Sequence, residues 1–130
     1  MTSRFTELSV DCHDPERLAA FWCEVLGFTV LDRTDTMVEI SSWDPTAEDI
    51  RARQMPPTIY FQRVPDTKAV KNRLHLDVSP IDSSTEAEVT RLLTLGATRV
   101  DIGQGEGRSW VVLADPEGNE FCVVRTLAPQ

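Results

Sequence analysis

The sequence predicts a single α+β domain in which two βαβββ modules form a curved mixed sheet with a central cleft. Three observations predict it: apolar and polar residues alternate in several short segments, two amphipathic helices each end at a Leu-Gly pair, and this order of elements occurs twice. Alternation with a period of two is typical of half-buried strands, whereas apolar residues three or four positions apart indicate a helix. A length of 130 residues suits one domain, with modules of about 1–66 and 67–130.

The first module opens with an alternating strand that leads into a well-delimited helix. Apolar and polar residues alternate from Phe5 to Cys12, which predicts a half-buried strand. Asp14 is a favoured N-cap residue, Pro15 suits the first helical position, and Gly27 suits the left-handed C-terminal position. The apolar stripe that this helix turns inward consists of Leu18, Phe21, Trp22 and Val25.

Three further strands complete the first module. They are predicted at Thr29–Arg33, Met37–Ser42 and Thr58–Val64. The polar stretch between the last two, residues 43–57, is predicted to be a loop over one end of the sheet.

The second module repeats the same order. Residues 73–78 alternate again, and His75 follows Glu7 by 68 positions. Ser83 or Ser84 would cap the second helix, and Gly96 would end it. Its apolar stripe consists of Val89, Leu92 and Leu93, and the remaining strands are predicted at residues 98–102, 110–114 and 120–126. A repeat of this size indicates a duplicated supersecondary unit rather than a solenoid.

Charge and composition exclude several classes of protein. The net charge is −8 and the pI is about 4.7, so phosphate backbones and anionic membranes are disfavoured as partners. No apolar run approaches the roughly 20 residues of a membrane span, and the N-terminal residues lack the apolar core of a signal peptide. We therefore expect a cytoplasmic protein that binds neither nucleic acid nor membrane, with its three scattered cysteines reduced.

Polar side chains occupy the same face of the opening strand in both modules. Ionisable groups that face an interior are costly unless they are solvated or bind something, so this pattern predicts a small-molecule site. The predicted cleft residues are Glu7, Ser9, Asp11, Tyr60, Gln62, Arg73, His75, Asp77 and Trp110. Asp11 and Asp77 would bind a ligand amine or simply be solvated strand ends, and Trp110 would stack on a planar ligand or pack within the sheet.

Four strings carry a resemblance to a known family: DCHDPERLAAFWCEVLGF, KNRLHLDV, LTLGATRV and DPEGNEFCVV. They resemble the vicinal oxygen chelate superfamily, in its glyoxalase-like and bleomycin-resistance-like branch. The resemblance covers nearly the whole chain and implies two βαβββ modules whose sheets form a cleft. It also implies a homodimer and a small-molecule ligand.

The resemblance further implies four positions that hold one divalent metal ion, Zn, Ni, Mn or Fe, in metal-dependent members. These positions fall on Glu7, Gln62, His75 and Cys122, where metal-binding members usually have Glu at the last. A thiol is a soft ligand in a hard-ligand position, and a small apolar filler is the simpler interpretation of Cys122. A catalytic residue is not assigned; His75 and Glu7 are the candidates. Both residues also have a simpler interpretation. His75 would then be a hydrogen-bonded residue of the cavity, and Glu7 would form an ion pair with Arg73 or Arg63.

Three functions stay open from the sequence. The first is a binding protein that sequesters a metabolite or antibiotic, with an incomplete metal quartet. The second is a divalent-metal-dependent lyase, isomerase or dioxygenase acting on a substrate with vicinal oxygens. The third is a structural or regulatory dimer with a vestigial cavity. The glycine-rich run at residues 103–107 is interpreted as a connection, because its spacing does not match a dinucleotide-binding fingerprint.

Overall fold

The computed structural model describes residues 2–52, 56–100 and 110–129. These residues form three helices and eight strands that belong to two compact units, Met1–Thr67 and Lys68–Gln130. The elements are β1 (Glu7–Cys12), α1 (Pro15–Leu26), β2 (Thr29–Arg33), β3 (Met37–Ser41), α2 (Ala47–Ala52), β4 (Thr58–Arg63), β5 (Asp77–Val78), α3 (Thr85–Leu95), β6 (Thr98–Arg99), β7 (Val111–Ala114) and β8 (Glu120–Val123).

The two units contain sheets of the same topology, which confirms the predicted α+β fold and its duplication. The first sheet has the strand order β1-β4-β3-β2, and the second has the order β5-β8-β7-β6. In each sheet the first strand pairs in parallel with the last strand of its unit, and the other pairs are antiparallel. The opening strand is therefore an edge strand in both sheets.

Helix α1 begins and ends where the sequence predicts. The Asp14 carboxylate accepts a hydrogen bond from the backbone N–H of Arg17 at 3.1 Å and so satisfies one free donor of the first turn. Gly27 lies in the left-handed region at φ 70°, and its N–H donates to the carbonyl of Cys23 at 2.8 Å. The helix packs against its sheet over a core formed by Leu18, Phe21, Trp22, Val38, Ile40 and Phe61.

Helix α3 follows the same design in the second unit. Ser84 is the cap, because its hydroxyl accepts from the N–H of Ala87 at 3.1 Å. Gly96 ends the helix at φ 120°. The core of this unit is formed by Val89, Leu92, Val112, Leu113, Phe121 and Val123.

The prediction of a loop at residues 43–57 is wrong over Ala47–Ala52, because these residues form the short helix α2. The Thr46 hydroxyl accepts from the N–H of Asp49 at 3.1 Å, and the Asp49 carboxylate accepts from the N–H of Thr46 at 2.9 Å. This reciprocal pair is a capping box. It supplies a helix start in a segment without a clear apolar stripe.

The predicted strand at residues 73–78 is shortened to Asp77–Val78, and Leu74 is 82% exposed rather than turned inward. The segment before Asp77 is not paired with a strand at Asn72. There the backbone N–H donates to the side-chain Oε1 of Glu120 at 2.7 Å. Strand pairing begins only where the N–H of Cys122 reaches the carbonyl of Leu76 at 2.9 Å. Of the six alternating residues at positions 73–78, only Asp77 and Val78 therefore form regular strand pairs.

Strands β6 and β8 are also markedly shorter than predicted, whereas the bounds of the remaining strands differ from the prediction by at most two residues. Strand β6 comprises Thr98–Arg99, and strand β8 ends at Val123 rather than at residue 126. The end of the predicted strand 98–102 and the glycine-rich run at residues 103–107 lie outside the described residues. Across the part of the chain that the structure describes, no helix is long and apolar enough to span a membrane.

Candidate functional site

On one face of the first sheet, polar side chains lie opposite one another on neighbouring strands. In the register of β1, β4 and β3, Ser9 lies opposite Tyr60, and Tyr60 lies opposite Glu39. Residues that pair across neighbouring strands point to the same side of a sheet. On β1, β4 and β3 the polar side chains of this face, called the polar face below, are those of Glu7, Ser9, Asp11, Glu39, Thr58, Tyr60 and Gln62. The apolar Met37 lies opposite Gln62 on the same side and is buried.

Strand β1 shows which side this face is on. Glu7, Ser9 and Asp11 are exposed, whereas the alternate residues Leu8, Val10 and Cys12 are half-buried or buried. Leu8 and Val10 lie opposite Ile59 and Phe61 of β4, which are buried in the core together with residues of helix α1. The buried side of β1 is therefore the side that helix α1 covers. The predicted alternation is thus confirmed, and the polar face is turned away from the helix.

Gln62, the second of the four metal positions that the resemblance implies, has its amide engaged by neighbouring groups. Its Oε1 accepts from the Tyr60 hydroxyl at 3.2 Å, and its Nε2 donates to the carbonyls of Thr36 at 3.2 Å and Arg63 at 3.3 Å. These bonds fix the amide and orient the Tyr60 hydroxyl. Tyr60 and Gln62 therefore form a hydrogen-bonded pair on the polar face.

Glu39 is a member of the polar face that sequence reasoning did not single out. It is half-buried on β3, and its Oε2 accepts from the Thr58 hydroxyl at 2.7 Å. The signal was present in the sequence, since Glu39 is the one charged residue in the strand Met37–Ser41. A charged residue at such a position is retained only with a partner or a solvated side.

In the second unit the structure brings together His75, Asp77 and Cys122. One ligand atom from each residue lies within 4.8 Å of the other two. His75 Nε2 is 3.1 Å from Asp77 Oδ1, and Asp77 lies directly opposite Cys122 in the parallel register of β5 and β8. Sequence reasoning placed His75 and Cys122 among the metal positions and Asp77 only among the cleft residues.

The Cys122 thiol is held in its protonated form by its surroundings. Burial makes the largest contribution to the raised pKa of this thiol. The negative charge of Asp77 and a hydrogen bond with its carboxylate raise the pKa further. The positive charge of Lys71 acts in the opposite direction. Cys122 is 6% exposed, so its thiol reaches the cluster from the sheet interior, while the imidazole and carboxylate lie at the surface.

The two remaining predicted cleft residues lie in the second unit outside this cluster. Arg73 is exposed in the irregular segment before β5, and Trp110 is half-buried at the residue before β7. The structure therefore divides the predicted cleft residues between the polar face of the first sheet and the His75–Asp77–Cys122 cluster, with Arg73 and Trp110 in neither group.

The chain belongs to the glyoxalase-like domain family. The sequence model of that family matches residues 7–124, which include every strand and helix described above. Members of the wider superfamily bind small molecules, often use a divalent metal ion and often form dimers. No curated protein matches the chain.

Solved structures share the fold at low sequence identity. A fosfomycin resistance protein, FosX from Mesorhizobium loti, aligns with a TM-score of 0.66 and 15% identity over 98% of this chain and 96% of that one. A glyoxalase/bleomycin resistance protein/dioxygenase family enzyme from Burkholderia phytofirmans PsJN aligns with a TM-score of 0.62 and 21% identity over 93% and 97% of the two chains. TioX from Micromonospora sp. ML1 aligns with a TM-score of 0.55 and 16% identity over 96% and 100%.

The four positions that the family implies differ in how well their side chains could bind a metal ion. Gln62 offers an amide oxygen that already accepts from Tyr60, and a neutral amide is a weak ligand. His75 and Cys122 offer imidazole and thiol donors with the Asp77 carboxylate beside them, a set that matches borderline-soft ions such as Zn²⁺. The fit is therefore good in the second unit.

Proposed function

We propose that this chain is a small-molecule-binding protein that sequesters a cationic compound, such as an amine-bearing metabolite or antibiotic, on the polar face of the first sheet. The observation that carries the proposal is the charge of that face. Glu7, Asp11 and Glu39 give it three carboxylates, and none of its seven members is basic. An excess of one charge on a surface attracts ligands of the opposite charge.

The arrangement of these residues supports ligand binding as well as attraction. Glu7 and Asp11 are exposed on β1 on either side of Ser9, and Ser9 and Tyr60 provide hydroxyl groups in the row between them. Hydrogen bonds hold the Tyr60 hydroxyl and the Glu39 carboxylate in place before any ligand arrives. A preorganised polar surface loses less conformational entropy on binding than a mobile one. The shared fold of a fosfomycin resistance protein is consistent with an antibiotic ligand.

The proposal is tested by isothermal titration calorimetry against a panel of aminated antibiotics and metabolites, with uncharged and anionic analogues beside them. We expect saturable binding of a cationic compound that weakens several-fold in Glu7→Gln and in Asp11→Asn, and that weakens further with added salt. Glu16→Gln is the matched control, because Glu16 is an exposed carboxylate on α1 that pairs with Arg33 away from this face. Failure of every cationic compound to bind, or equal binding by the two variants and the wild type, would contradict the proposal.

A second candidate function is a divalent-metal-dependent lyase or dioxygenase acting on vicinal oxygens, which the His75–Asp77–Cys122 cluster favours. A bound divalent ion would act as a Lewis acid toward a substrate oxygen. His75 and Asp77 are accessible to a substrate, being exposed, whereas Cys122 is not. Its test is product formation that requires an added divalent ion and is lost in His75→Ala.

We also propose that the chain forms a homodimer, because members of the superfamily often form dimers. Analytical sedimentation of the same preparation tests this proposal.

A further inference from the structure

We propose that the second unit by itself binds a borderline-soft divalent ion, with Zn²⁺ the best match, through the imidazole of His75, the carboxylate of Asp77 and the thiolate of Cys122. The proposal goes beyond the sequestration function, because it needs no organic ligand and no residue of the first sheet. It also differs from the four positions that the family implies, since Asp77 takes the place of Glu7 and Gln62.

The backbone places the three donors on one side of the sheet. Asp77 and Cys122 face each other in the parallel pair of β5 and β8, and His75 precedes Asp77 by two residues. The pair is held by the N–H of Cys122 on the carbonyl of Leu76 at 2.9 Å and the N–H of Val124 on the carbonyl of Val78 at 2.8 Å. Two of the donors thus come from hydrogen-bonded strands, which position side chains more accurately than loops do.

The separations between the donors are close to those of a metal site. All three ligand atoms lie within 4.8 Å of one another, and His75 Nε2 is 3.1 Å from Asp77 Oδ1. Zn–N and Zn–O bonds of about 2.0–2.2 Å and a Zn–S bond of about 2.3 Å place tetrahedral ligands roughly 3.4–3.6 Å apart. Closing the cluster on an ion therefore requires side-chain movements of about 1 Å, which the exposed imidazole and carboxylate are free to make.

The chemistry of the donors selects among ions. A set of nitrogen, oxygen and sulfur donors suits Zn²⁺ and Co²⁺, whereas Mg²⁺ and Ca²⁺ prefer oxygen ligands alone. Three protein ligands leave one tetrahedral position for water, and the side chains of His75 and Asp77 are 39% and 58% exposed, so water has access. Binding releases the Cys122 proton to solvent, because the thiolate is the ligand.

The test is a titration of the full chain, stripped with a chelator and kept reduced, with Co²⁺ as the spectroscopic probe. We expect equimolar binding with a thiolate-to-cobalt charge-transfer absorption that disappears when Zn²⁺ displaces the Co²⁺. Asp77→Asn and Cys122→Ser should weaken binding by more than the roughly 10–100-fold that loss of an outer-shell partner costs, and Cys122→Ser should also remove the absorption. Circular dichroism of each variant shows that a lost signal is not a lost fold.

Matched controls in the first unit identify the ligand set. Cys23→Ser and His13→Ala remove a thiol and an imidazole that lie outside the cluster, so both should leave the titration unchanged. Glu7→Gln and Gln62→Leu should leave it unchanged as well. A loss of Co²⁺ binding in either of the last two variants, or binding without a charge-transfer absorption, would overturn the proposal.

The outcome is separable from that of the sequestration function. Co²⁺ binding is measured without organic ligand, and ligand binding to the polar face is measured in the presence of chelator. Failure to bind Co²⁺ would overturn the metal site and leave the calorimetric result on cationic ligands standing. Failure of cationic ligands to bind would leave the metal site standing.

Discussion

The ammonium group of Lys68 lies 2.7 Å from Oε2 of Glu120, and Oε1 of the same carboxylate accepts from the N–H of Asn72 at 2.7 Å. One nearly buried carboxylate on β8 therefore holds the segment that leads into β5. Asn72 adds a side-chain bond to Asn119 at 3.1 Å, so the segment is also tied to the turn before β8. This arrangement positions the chain that enters the His75–Asp77–Cys122 cluster.

Removal of the Lys68 ammonium should destabilise the protein. Lys68→Met removes the ion pair and leaves the nearly buried Glu120 carboxylate with the bond from the N–H of Asn72. We expect a loss of roughly 1–3 kcal/mol in the free energy of unfolding. Urea unfolding followed by circular dichroism measures it. Arg33→Met is the control, because the Arg33–Glu16 pair is exposed and surface pairs contribute little. Equal losses in the two variants would contradict the role assigned to Glu120.

The same carboxylate should make stability depend on acid pH. Burial acts to raise the pKa of Glu120, but the ion pair with Lys68 and the N–H of Asn72 outweigh it, so the pKa lies below its ordinary value. A lowered pKa in the folded state gives stability that is present above the unfolded-state value, about 4.3, and lost as the pH falls through the folded-state value. The difference in unfolding free energy between wild type and Glu120→Gln should therefore be full above the unfolded-state value and shrink as the pH is lowered from about 5 into the range below about 4.3. A difference that stays constant over that range would show that Glu120 is not the titrating group.

Local signals in the sequence were sufficient for most of the fold. Asp14 and Gly27 delimit α1 because capping and left-handed geometry depend on nearby residues alone. The Thr46–Asp49 capping box is an equally local signal, and the prediction of a loop overlooked it. Leu74 is different: its exposure depends on where β8 begins and on the bond between Asn72 and Glu120, 48 positions apart in the sequence. Alternation alone carries no information about such a partner.

The candidate site shows the same limit. Periodicity placed Glu7, Ser9 and Asp11 on one side of β1, as the structure confirms. The register between strands decides which residues join them, and this is how Glu39 enters the polar face through Tyr60. Register likewise brings Asp77 opposite Cys122. Contacts between distant strands depend on tertiary pairing, which a single sequence does not specify.

The turn between β7 and β8 should depend on one carboxylate. Asp115 is buried, and its Oδ1 accepts from the N–H groups of Glu117 and Asn119, each at 2.9 Å. Asp115→Ala leaves both donors without this acceptor, and we expect a loss of about 1–3 kcal/mol in thermal or urea unfolding. Asp115→Asn keeps one oxygen acceptor and should lose less. The Asn119 side-chain Nδ2 also donates to Oδ1 at 3.2 Å and to Oδ2 at 3.1 Å. Equal losses in the two variants would therefore show that this second set of bonds, which an asparagine at position 115 cannot accept in full, matters as much as the backbone donors.

The end of helix α1 should tolerate asparagine better than alanine at Gly27. A Cβ at this position meets no atom within 4 Å, so the cost of a substitution comes from the backbone at φ 70° and not from a clash. An L-residue in this region costs roughly 1–2 kcal/mol, and Asn adopts it more readily than Ala because its short polar side chain bonds locally. We therefore expect Gly27→Ala to lower the unfolding free energy by about 1 kcal/mol and Gly27→Asn by less, as measured by urea unfolding of the two variants beside the wild type. The high helix propensity of alanine gives no compensation, because Gly27 follows the last helical residue, Leu26. An alanine variant as stable as the wild type would mean that the C-terminal turn has rearranged to negative φ.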